Sequence, residues 1–432
     1  MRAGILGKSG ICLLLASLLL SGCSGNKRTE TAESVSAAEQ AEKRAEEIAE
    51  QASGKNDSPV MEEETEKTAV NAEPVPTEEA DELESRLEEY LDRMTLEEKV
   101  AQMFFVLPES LTGTELVTAA GEITRQAYNE IPVGGLVYMA RNLESSSQVQ
   151  EMMRNVQIFS RERIGLPVFT GVDEEGGTVT RISGRGNFDV PVIGDMCDVG
   201  SSGDVSLAYE TGTTIGIYLK ELGFNVDFAP DADVLSNPDN QVVRYRSFGS
   251  DPNLVAEMAA AELKGLEEQG VLGCFKHFPG HGATEGDTHA GYAYTDKTLE
   301  ELETCELIPF QRGISEGVSM IMVGHISAPS VTGDDTPASL SAAMITDILR
   351  NRMGYKGIVI TDAMNMGAIS QTYSSGEAAV QSILAGADMI LMPQDFASAY
   401  EGVLEAVENQ RISVERIDQS VERILRVKLQ MA

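Results

Sequence analysis

The chain has 432 residues, of which 69 are acidic and 33 are basic, so its formal net charge at neutral pH is −36. Residues 1–22 contribute +2 and residues 24–80 contribute −9, which leaves −29 on residues 81–432. Nucleic-acid affinity depends largely on lysine and arginine neutralising phosphates, so this acidic chain is a poor candidate for binding nucleic acid. Three of the five cysteines lie beyond residue 80 without CxxC spacing, which indicates neither a disulfide framework nor a zinc ribbon.

The amino terminus has the pattern of a signal peptide. Arg2 and Lys8 precede an apolar run over residues 11–20, which is about half the length that a membrane-spanning helix needs. The sequence Leu-Ser-Gly-Cys at residues 20–23 resembles the bacterial lipobox and predicts that Cys23 is lipidated. We therefore expect a lipid anchor on the extracytoplasmic face of the cell membrane. An ordinary cleaved signal peptide with an incidental cysteine is the alternative.

The next segment predicts a tether. After Cys23 the chain is rich in Glu, Ala, Ser and Lys up to residue 80, with almost no large apolar side chains. Such a composition cannot bury enough surface to offset the entropy of ordering, so we predict a disordered acidic linker. The predicted organisation is a signal peptide at 1–22, the lipidated cysteine and linker at 23–80, and one domain at 81–432, expected to be monomeric.

Within residues 81–432, eight short apolar runs alternate with segments of helical pattern. The predicted strands are Gln102–Val106, Gly135–Met139, Val168–Val172, Val226–Ala229, Gly273–Phe275, Met320–Val323, Gly357–Ile360 and Met389–Leu391. Strands that alternate with helices imply parallel pairing, and eight such units imply closure. We predict an α/β fold with a single (β/α)8 TIM-type barrel, although periodicity alone does not exclude a doubly wound sheet.

Polar residues follow several of these strands. Asp173, His277, His325 and Asp362 lie directly after or close to the end of a predicted strand. The carboxyl ends of barrel strands meet at one mouth, where this fold places its catalytic groups. Any one of these residues could instead cap a helix or a turn, and His325 receives no predicted role.

Three of the four histidines lie within residues 277–289. The sequence there is Lys-His-Phe-Pro-Gly-His-Gly at 276–282, followed by Asp-Thr-His at 287–289. Its glycines permit backbone conformations that other residues avoid, so the segment is expected to form a loop beside a reacting centre.

This segment is compatible with three chemistries. A metal site could use His277, His281, Asp287 and His289, because imidazole and carboxylate suit zinc. A Schiff-base enzyme could use Lys276, if its pKa is lowered. The third possibility is sugar recognition by Lys276 and His277, with Asp287 and His289 as an acid/base pair in which the carboxylate orients the imidazole.

The segment from Lys276 to His289 resembles the signature of family 3 glycoside hydrolases, in the branch of the β-N-acetylglucosaminidases. The resemblance extends over roughly Leu87 to Lys428, and two departures from it are Thr288 in place of serine and Glu174 in place of the common glutamine. Four further segments agree with the family in order: Gly134–Val137, Val172–Gly177, Arg246–Gly249 and Ile360–Met366.

The resemblance implies roles for seven residues. Asp362 would be the nucleophile, His289 the acid/base and Asp287 its partner. The implied ligands of the sugar in the first subsite are Asp173, Arg246, Lys276 and His277.

The resemblance also narrows the activity. Typical β-glucosidases and β-xylosidases of this family carry a second α/β domain that supplies an acid/base carboxylate, whereas this chain ends soon after the eighth predicted strand, so we expect the acid/base to come from the barrel. We expect a retaining exo-β-N-acetylglucosaminidase, without metal or cofactor, that acts on peptidoglycan fragments first and chito-oligosaccharides second. A β-glucosidase- or β-xylosidase-type or phosphorolytic enzyme of the family, and a non-catalytic sugar-binding lipoprotein, stay open.

Overall fold

A computed structural model describes residues 78–284, 286 and 293–431. The predictions about the signal peptide, about Cys23 and about Asp287 and His289 concern residues outside these ranges, as do those about nearly all of the linker. Within the ranges, none of the helices combines the length and the apolar character that crossing a bilayer requires.

The described part of the chain alternates strands and helices. The strands are β1 Phe104–Val106, β2 Gly135–Val137, β3 Phe169–Val172, β4 Val226–Asp227, β5 Cys274–Phe278, β6 Ala293–Tyr294, β7 Met320–Val323, β8 Ile326–Ser327, β9 Ile358–Thr361 and β10 Ile390–Leu391. The α-helices are α1 Glu78–Arg93, α2 Leu96–Gln102, α3 Pro108–Thr112, α4 Glu122–Glu130, α5 Ser146–Ile164, α6 Met196–Ser202, α7 Val205–Leu222, α8 Pro252–Glu268, α9 Leu299–Glu303, α10 Leu307–Glu316, α11 Pro329–Thr332, α12 Gly367–Ser370, α13 Ser375–Ala385, α14 Phe396–Glu408 and α15 Val414–Gln430. Short 3₁₀ turns span Ala140–Asn142, His281–Ala283 and Ala338–Leu340, and a π-helix spans Ala343–Arg352.

The eight predicted strands are all present and all pair in parallel. A five-stranded sheet has the order β10-β1-β2-β3-β4, and a three-stranded sheet has the order β5-β7-β9. Isolated parallel bridges join Val226 with Leu272 beside β5, and Ile360 with Met389 beside β10. The α/β class with parallel strands is therefore confirmed.

Two strand boundaries differ from the prediction in informative ways. Gln102, predicted to begin the first strand, is the last residue of α2. The predicted strand at Gly273–Phe275 is longer in the structure, since β5 continues through Lys276 and His277 to Phe278. The prediction ended at the first charged residue, but β5 is buried along its whole length.

A third sheet, of two strands, was not predicted from the sequence. Within the described ranges, β6 pairs in parallel with β8, through Ala293 with Ile326 and Tyr294 with Ser327. Each of these strands has only two residues, and neither β6 nor β8 coincides with one of the apolar runs from which the eight strands were predicted.

The helices begin and end at residues suited to those positions. The side chain of Asp204 caps α7 by accepting from Ser206 N, and Gly223 ends it in the left-handed region with φ of 95°. Helix α7 packs closely on α8, because Gly212 lies where an added Cβ would come within 2.1 Å of the Glu262 carbonyl oxygen. Leu263 of α8 packs at Gly273, directly before β5, where an added Cβ would lie 2.4 Å from its side chain, so this helix supports the strand that carries Lys276 and His277.

Aromatic rings fill the space beside the five-stranded sheet. Phe105 lies 5.2 Å from Phe228 and 6.2 Å from Phe169, measured between ring centroids. Gly135 and Gly171 make room for Phe105, since an added Cβ at either would lie within 2.6 Å of that ring. Each fully buried phenylalanine contributes about 1.5–3 kcal/mol through removal of apolar surface from water.

Candidate active site

Five of the predicted site residues line one cavity of about 360 Å³. Asp173 follows β3, Lys276 and His277 lie in β5, and Asp362 follows β9. Arg246 comes from the long segment between β4 and α8. Residues from distant parts of the sequence therefore meet at the carboxyl ends of the strands.

Glu175 is a buried carboxylate that links two of these cations. Its Oε1 lies 2.5 Å from Nζ of Lys276, and its two oxygens accept from Nε and Nη2 of Arg246 at 2.7 and 2.8 Å. Burial acts to raise the pKa of Glu175, but Arg246 and Lys276 outweigh it and hold the pKa well below its ordinary value. Glu175 is therefore ionised and fixes the positions of both cations.

Lys276 is held as an ammonium ion. Its Nζ also lies 3.4 Å from Oδ1 of Asp173. Burial acts to lower the pKa of Lys276, but Glu175 and Asp173 raise it above its ordinary value. A Schiff-base lysine must present a neutral amine, so this environment argues against the Schiff-base alternative. The ammonium suits the donation of hydrogen bonds to a hydroxyl group.

His277 has a defined tautomer. Its Nδ1 lies 2.7 Å from Oδ2 of Asp233, and its Nε2 lies 3.2 Å from Nη2 of Arg246. Because arginine only donates, Nε2 accepts, and Nδ1 carries the proton that is donated to Asp233. Burial and the neighbouring Arg246 lower the pKa of His277 to about 4. The imidazole is therefore neutral at neutral pH.

Asp233 also fixes the backbone of the turn that follows β5. Its Oδ1 accepts from the backbone N–H of His277 at 3.3 Å and of His281 at 2.5 Å. One buried carboxylate thus holds the ring of His277 and the start of the glycine-rich turn. Sequence reasoning assigned no role to Asp233.

Asp362 is an ionised carboxylate at the end of β9. Its backbone N–H donates to the carbonyl of Val323 at 2.9 Å, and its Oδ1 accepts from the N–H of Ala363 at 2.7 Å. Burial acts to raise the pKa of Asp362, but His325 and the Ala363 amide contribute to a net lowering below its ordinary value. The carboxylate is partly exposed and lines the cavity.

His325, which had no predicted role, supports the turn that carries Asp362. Its Nε2 donates to the carbonyl oxygen of Ala363 at 3.0 Å, and its Nδ1 lies 2.8 Å from the hydroxyl of Ser339. The residue is fully buried. His325 therefore acts on the site through the backbone beside Asp362.

Glu174 organises the loop that follows β3. Its carboxylate accepts from three consecutive backbone amides at residues 181–183, at 2.6 to 3.0 Å, and from the hydroxyl of Tyr218 at 3.0 Å. The loop then places Nη2 of Arg181 at 3.1 Å from Oδ2 of Asp173. Arg181 is thus a further cation at the cavity that the sequence did not reveal.

One group of residues has the donor set of a metal site. Asp231, Asp233 and His277 each offer a ligand atom, and these atoms lie within 4.8 Å of one another. The guanidinium of Arg246 already contacts this group, with Nε at 3.3 Å from Oδ2 of Asp231 and Nη2 at 3.2 Å from Nε2 of His277. The guanidinium of Arg246 therefore supplies positive charge beside Asp231 and His277, where a metal ion would supply it in a metal site.

Comparison with known proteins decides the family. The model of the glycosyl hydrolase family 3 N-terminal domain matches residues 95–427, well over half of the chain. The chain belongs to glycosyl hydrolase family 3.

Relatives in family 3 carry related names. The chain is 31% identical over 326 residues to β-hexosaminidase A of Pseudoalteromonas piscicida, covering 69% of this chain and 54% of that protein. It is 34% identical over 288 residues to a β-hexosaminidase of Nitrosomonas eutropha, covering 66% of this chain and 80% of that protein. The match thus spans about half the length of the first relative.

A solved family 3 structure is also similar. The β-N-acetylglucosaminidase from Paenibacillus sp. FPU-7 superposes with a TM-score of 0.73 at 38% sequence identity, covering 78% of this chain and 63% of that one. The predicted membership of the family is therefore confirmed.

Five of the seven site residues that the family resemblance implies line the cavity. The resemblance named Asp173, Arg246, Lys276, His277 and Asp362, and the structure brings these five together. The two remaining predicted site residues, Asp287 and His289, lie outside the described residues, and their roles stay predictions.

Proposed function

We propose that this family 3 chain is a retaining exo-β-N-acetylglucosaminidase that releases terminal N-acetylglucosamine through a covalent glycosyl-enzyme. The proposal is supported chiefly by one arrangement, in which the ionised Asp362 shares a cavity with the fixed polar groups of Asp173, Lys276 and His277. A sugar ring presents hydroxyl groups that such donors and acceptors recognise. The covalent step of a retaining mechanism needs a carboxylate that attacks the anomeric carbon. The names of the relatives support N-acetylglucosamine as the sugar.

We infer further that the eight parallel strands close into a single (β/α)8 barrel. The bridges beside β5 and beside β10 connect the edges of the five-stranded and three-stranded sheets at both ends. Hydrogen bonds support both connections: Asp227 N donates to the Leu272 carbonyl at 2.8 Å and Thr361 N to the Met389 carbonyl at 3.0 Å. Closure would place the site at the mouth where the carboxyl ends of the strands meet.

In the proposed mechanism, Asp362 attacks the anomeric carbon while an acid protonates the departing glycosidic oxygen. A water molecule, deprotonated by the same acid/base group, then cleaves the glycosyl ester and frees Asp362. A carboxylate whose pKa lies below its ordinary value is ionised at neutral pH, as the first step requires.

We propose His289, oriented by Asp287, as the acid/base. The other three histidines suit this role poorly. His277 binds Asp233 and Arg246 and has a pKa of about 4, and both ring nitrogens of His325 have partners. His281 is buried, and burial lowers its pKa. An imidazole near its ordinary pKa of about 6.5 would transfer protons efficiently near neutrality.

The decisive experiment is product analysis with nitrophenyl β-N-acetylglucosaminide and nitrophenyl β-glucoside, with and without phosphate. We expect release of free N-acetylglucosamine with retained configuration and little action on the glucoside. A sugar phosphate as the product would favour phosphorolysis, and binding without turnover would favour a sugar-binding protein.

Because no step uses a metal ion, a chelator should leave the rate unchanged, whereas loss of activity restored by zinc would support the metal alternative.

We also propose that the enzyme is a membrane-anchored lipoprotein, lipidated on Cys23. The proposal rests on the sequence at residues 20–23 and on the acidic linker that follows. Cys23→Ala should move the protein from the membrane to the soluble fraction with unchanged specific activity, because the linker separates the lipid from the catalytic domain. Retention of the variant in the membrane would refute the anchor.

A further inference from the structure

A second cavity adjoins the one that contains Asp362. It has a volume of about 750 Å³, within the range that a sugar-sized ligand fills. Val179, Val242 and Arg246 line both cavities. The two cavities therefore lie side by side.

The position of this second cavity suits the sugar on the leaving side of the scissile bond. Thr284 and Gly286 line it, and they lie just before the segment with the proposed acid/base His289 in the sequence. An acid must reach the glycosidic oxygen, which lies between the sugar that is attacked and the sugar that leaves. A cavity that adjoins the Asp362 cavity on the side where this segment begins is therefore where the leaving sugar would bind.

The walls combine apolar surface with exposed polar side chains. Val179 and Val242 can pack on the apolar face of a sugar ring, while Thr178 and Gln241 are exposed and can bond to hydroxyl groups. The stretch 240–243 is held in place, because the amide of Asn240 accepts from the backbone N–H groups of Val242 and Val243 and donates to the His281 carbonyl. The wall of the cavity that contains Gln241 and Val242 is therefore fixed by the protein itself.

The exposed charge in the second cavity is negative. The described lining of this cavity contains two charged side chains, Arg246 and Asp239. The guanidinium of Arg246 is already engaged by Glu175 and Asp231, whose oxygens lie 2.7 and 3.3 Å from its Nε. Asp239 is exposed and lines the cavity, in a domain that is acidic overall, so its carboxylate is not engaged by a described cation and is accessible there. An anionic ligand would therefore be repelled.

We propose that this cavity binds the leaving sugar and selects an uncharged one, such as N-acetylglucosamine, over a sugar that carries a carboxylate, such as N-acetylmuramic acid. The inference rests on the proposed function and reverses the order of substrates expected from the sequence. Asp239 is the residue that would set this preference.

The test compares two disaccharides that differ in this carboxylate, N-acetylglucosaminyl-N-acetylglucosamine and N-acetylglucosaminyl-N-acetylmuramic acid. The full-length wild type should show a higher kcat/KM for the neutral one, by about two- to fivefold, the range expected for a charge several ångströms away in water. Salt should reduce this ratio, because the interacting charges are exposed. Asp239→Asn should bring the ratio close to one, and Asp239→Lys should shift it by about tenfold towards the acidic disaccharide.

Asp347→Asn is the matched control, since it removes the same charge from an exposed residue outside both cavities. It should leave the ratio at the wild-type value. Equal use of both disaccharides by the wild type, or a ratio that neither Asp239 variant changes, would overturn the inference.

A binding measurement keeps this test separate from the proposed function. In an Asp362→Ala background, calorimetry should show tighter binding of the neutral disaccharide, and adding Asp239→Lys should reverse the order. If the wild type cleaves neither disaccharide nor the nitrophenyl substrate, the proposed function fails, but this binding order still decides the inference. Equal affinities unaffected by Asp239→Lys would refute it.

Discussion

Lys276 and Lys428 are both buried, at opposite ends of the parallel strands, and their partners differ in charge. Lys276 is paired with the carboxylates of Glu175 and Asp173. Nζ of Lys428 donates to Oε1 of Gln102 and to the carbonyl of Gly134, both at 2.8 Å. Burial lowers the pKa of Lys428 to about 7, whereas the pKa of Lys276 is raised.

The difference shows how one side-chain type serves two purposes. At the carboxyl ends of the strands, ion pairs keep the cavity groups charged and oriented, so they are ready for a polar ligand. At the amino ends, Lys428 donates hydrogen bonds to neutral partners, and its Nζ lies 4.8 Å from the centroid of the Phe169 ring. Substitutions at the first end should affect chemistry, and substitutions at the second should leave chemistry unchanged.

The largest effect is expected at Asp362. Asp362→Ala should reduce turnover on the order of 10⁴-fold or more on every substrate, because the covalent step needs this carboxylate. Initial rates on nitrophenyl and disaccharide substrates measure the loss, and a melting curve checks the fold. Asp362→Asn, which keeps the shape, should be similarly inactive. A variant that kept activity on both substrates would exclude Asp362 as the nucleophile.

His289→Ala should cost roughly 10²–10⁴-fold on a disaccharide, the usual contribution of general acid–base catalysis. The loss in the first step should be far smaller with a nitrophenyl leaving group, which departs without protonation. The second step then lacks its base, so a sugar adduct on Asp362 should accumulate and be visible by intact mass. Asp287→Ala should give an intermediate loss, because it only orients the imidazole. Equal losses on both substrates, with no adduct, would make His289 a binding residue.

Parallel methionine substitutions test the two lysines directly. Lys276→Met leaves Glu175 buried with one cation fewer, and should lower the free energy of unfolding by about 3–5 kcal/mol besides weakening sugar binding. Lys428→Met removes a buried charge but leaves Oε1 of Gln102 without this donor, while the carbonyl of Gly134 keeps the backbone N–H of Phe169 at 3.1 Å. Stability should therefore stay within about 2 kcal/mol of the wild type. Activity should survive Lys428→Met. Urea titrations and kcat/KM give both readouts, and equal destabilisation would contradict the comparison.

Lys428 should also leave a signature in the pH dependence of stability. Between about pH 7 and the ordinary lysine pKa of 10.5, the unfolded chain keeps a proton that folded Lys428 has lost. Unfolding then takes up protons, so the contribution of Lys428 to stability rises with pH across this window and is lost below about pH 7. Urea titrations at pH 6.5 and 9 should show the stability of Lys428→Met relative to wild type falling as the pH rises. A difference independent of pH would mean that Lys428 has an ordinary pKa.

The smallest effect is expected at Glu174, which, like Lys428, is satisfied by neutral partners. Glu174→Gln replaces one acceptor oxygen by a donor and leaves one backbone amide of residues 181–183 unpaired. The cost should be about 1 kcal/mol, with a small increase in KM because Arg181 is held less firmly. Urea titration and steady-state kinetics measure both. A loss above about 3 kcal/mol would show that the negative charge itself is required.

Sequence reasoning located the strands because their runs are apolar and bounded, as at Met320–Val323, where both limits agree with the structure. It ended β5 too early because Lys276 reads as a surface residue when its partner Glu175 is unknown. The family motifs named residues that contact a sugar. They did not reveal Asp233 or Arg181, whose roles depend on distances between segments far apart in the chain. Two aspartates at positions 231 and 233, a few residues after β4, were the signal that could have suggested Asp233.

The Glu175 network makes this site epistatic. Glu175 is bonded to Lys276 and Arg246 at once, so loss of any one of the three leaves an unbalanced buried charge for the others. The costs of the single changes should therefore add up to more than the cost of the double change, and the pair Glu175→Gln with Lys276→Met should fold better than Lys276→Met alone. Divergence of the cavity towards another ligand would have to proceed through coordinated replacements, which few mutational paths allow.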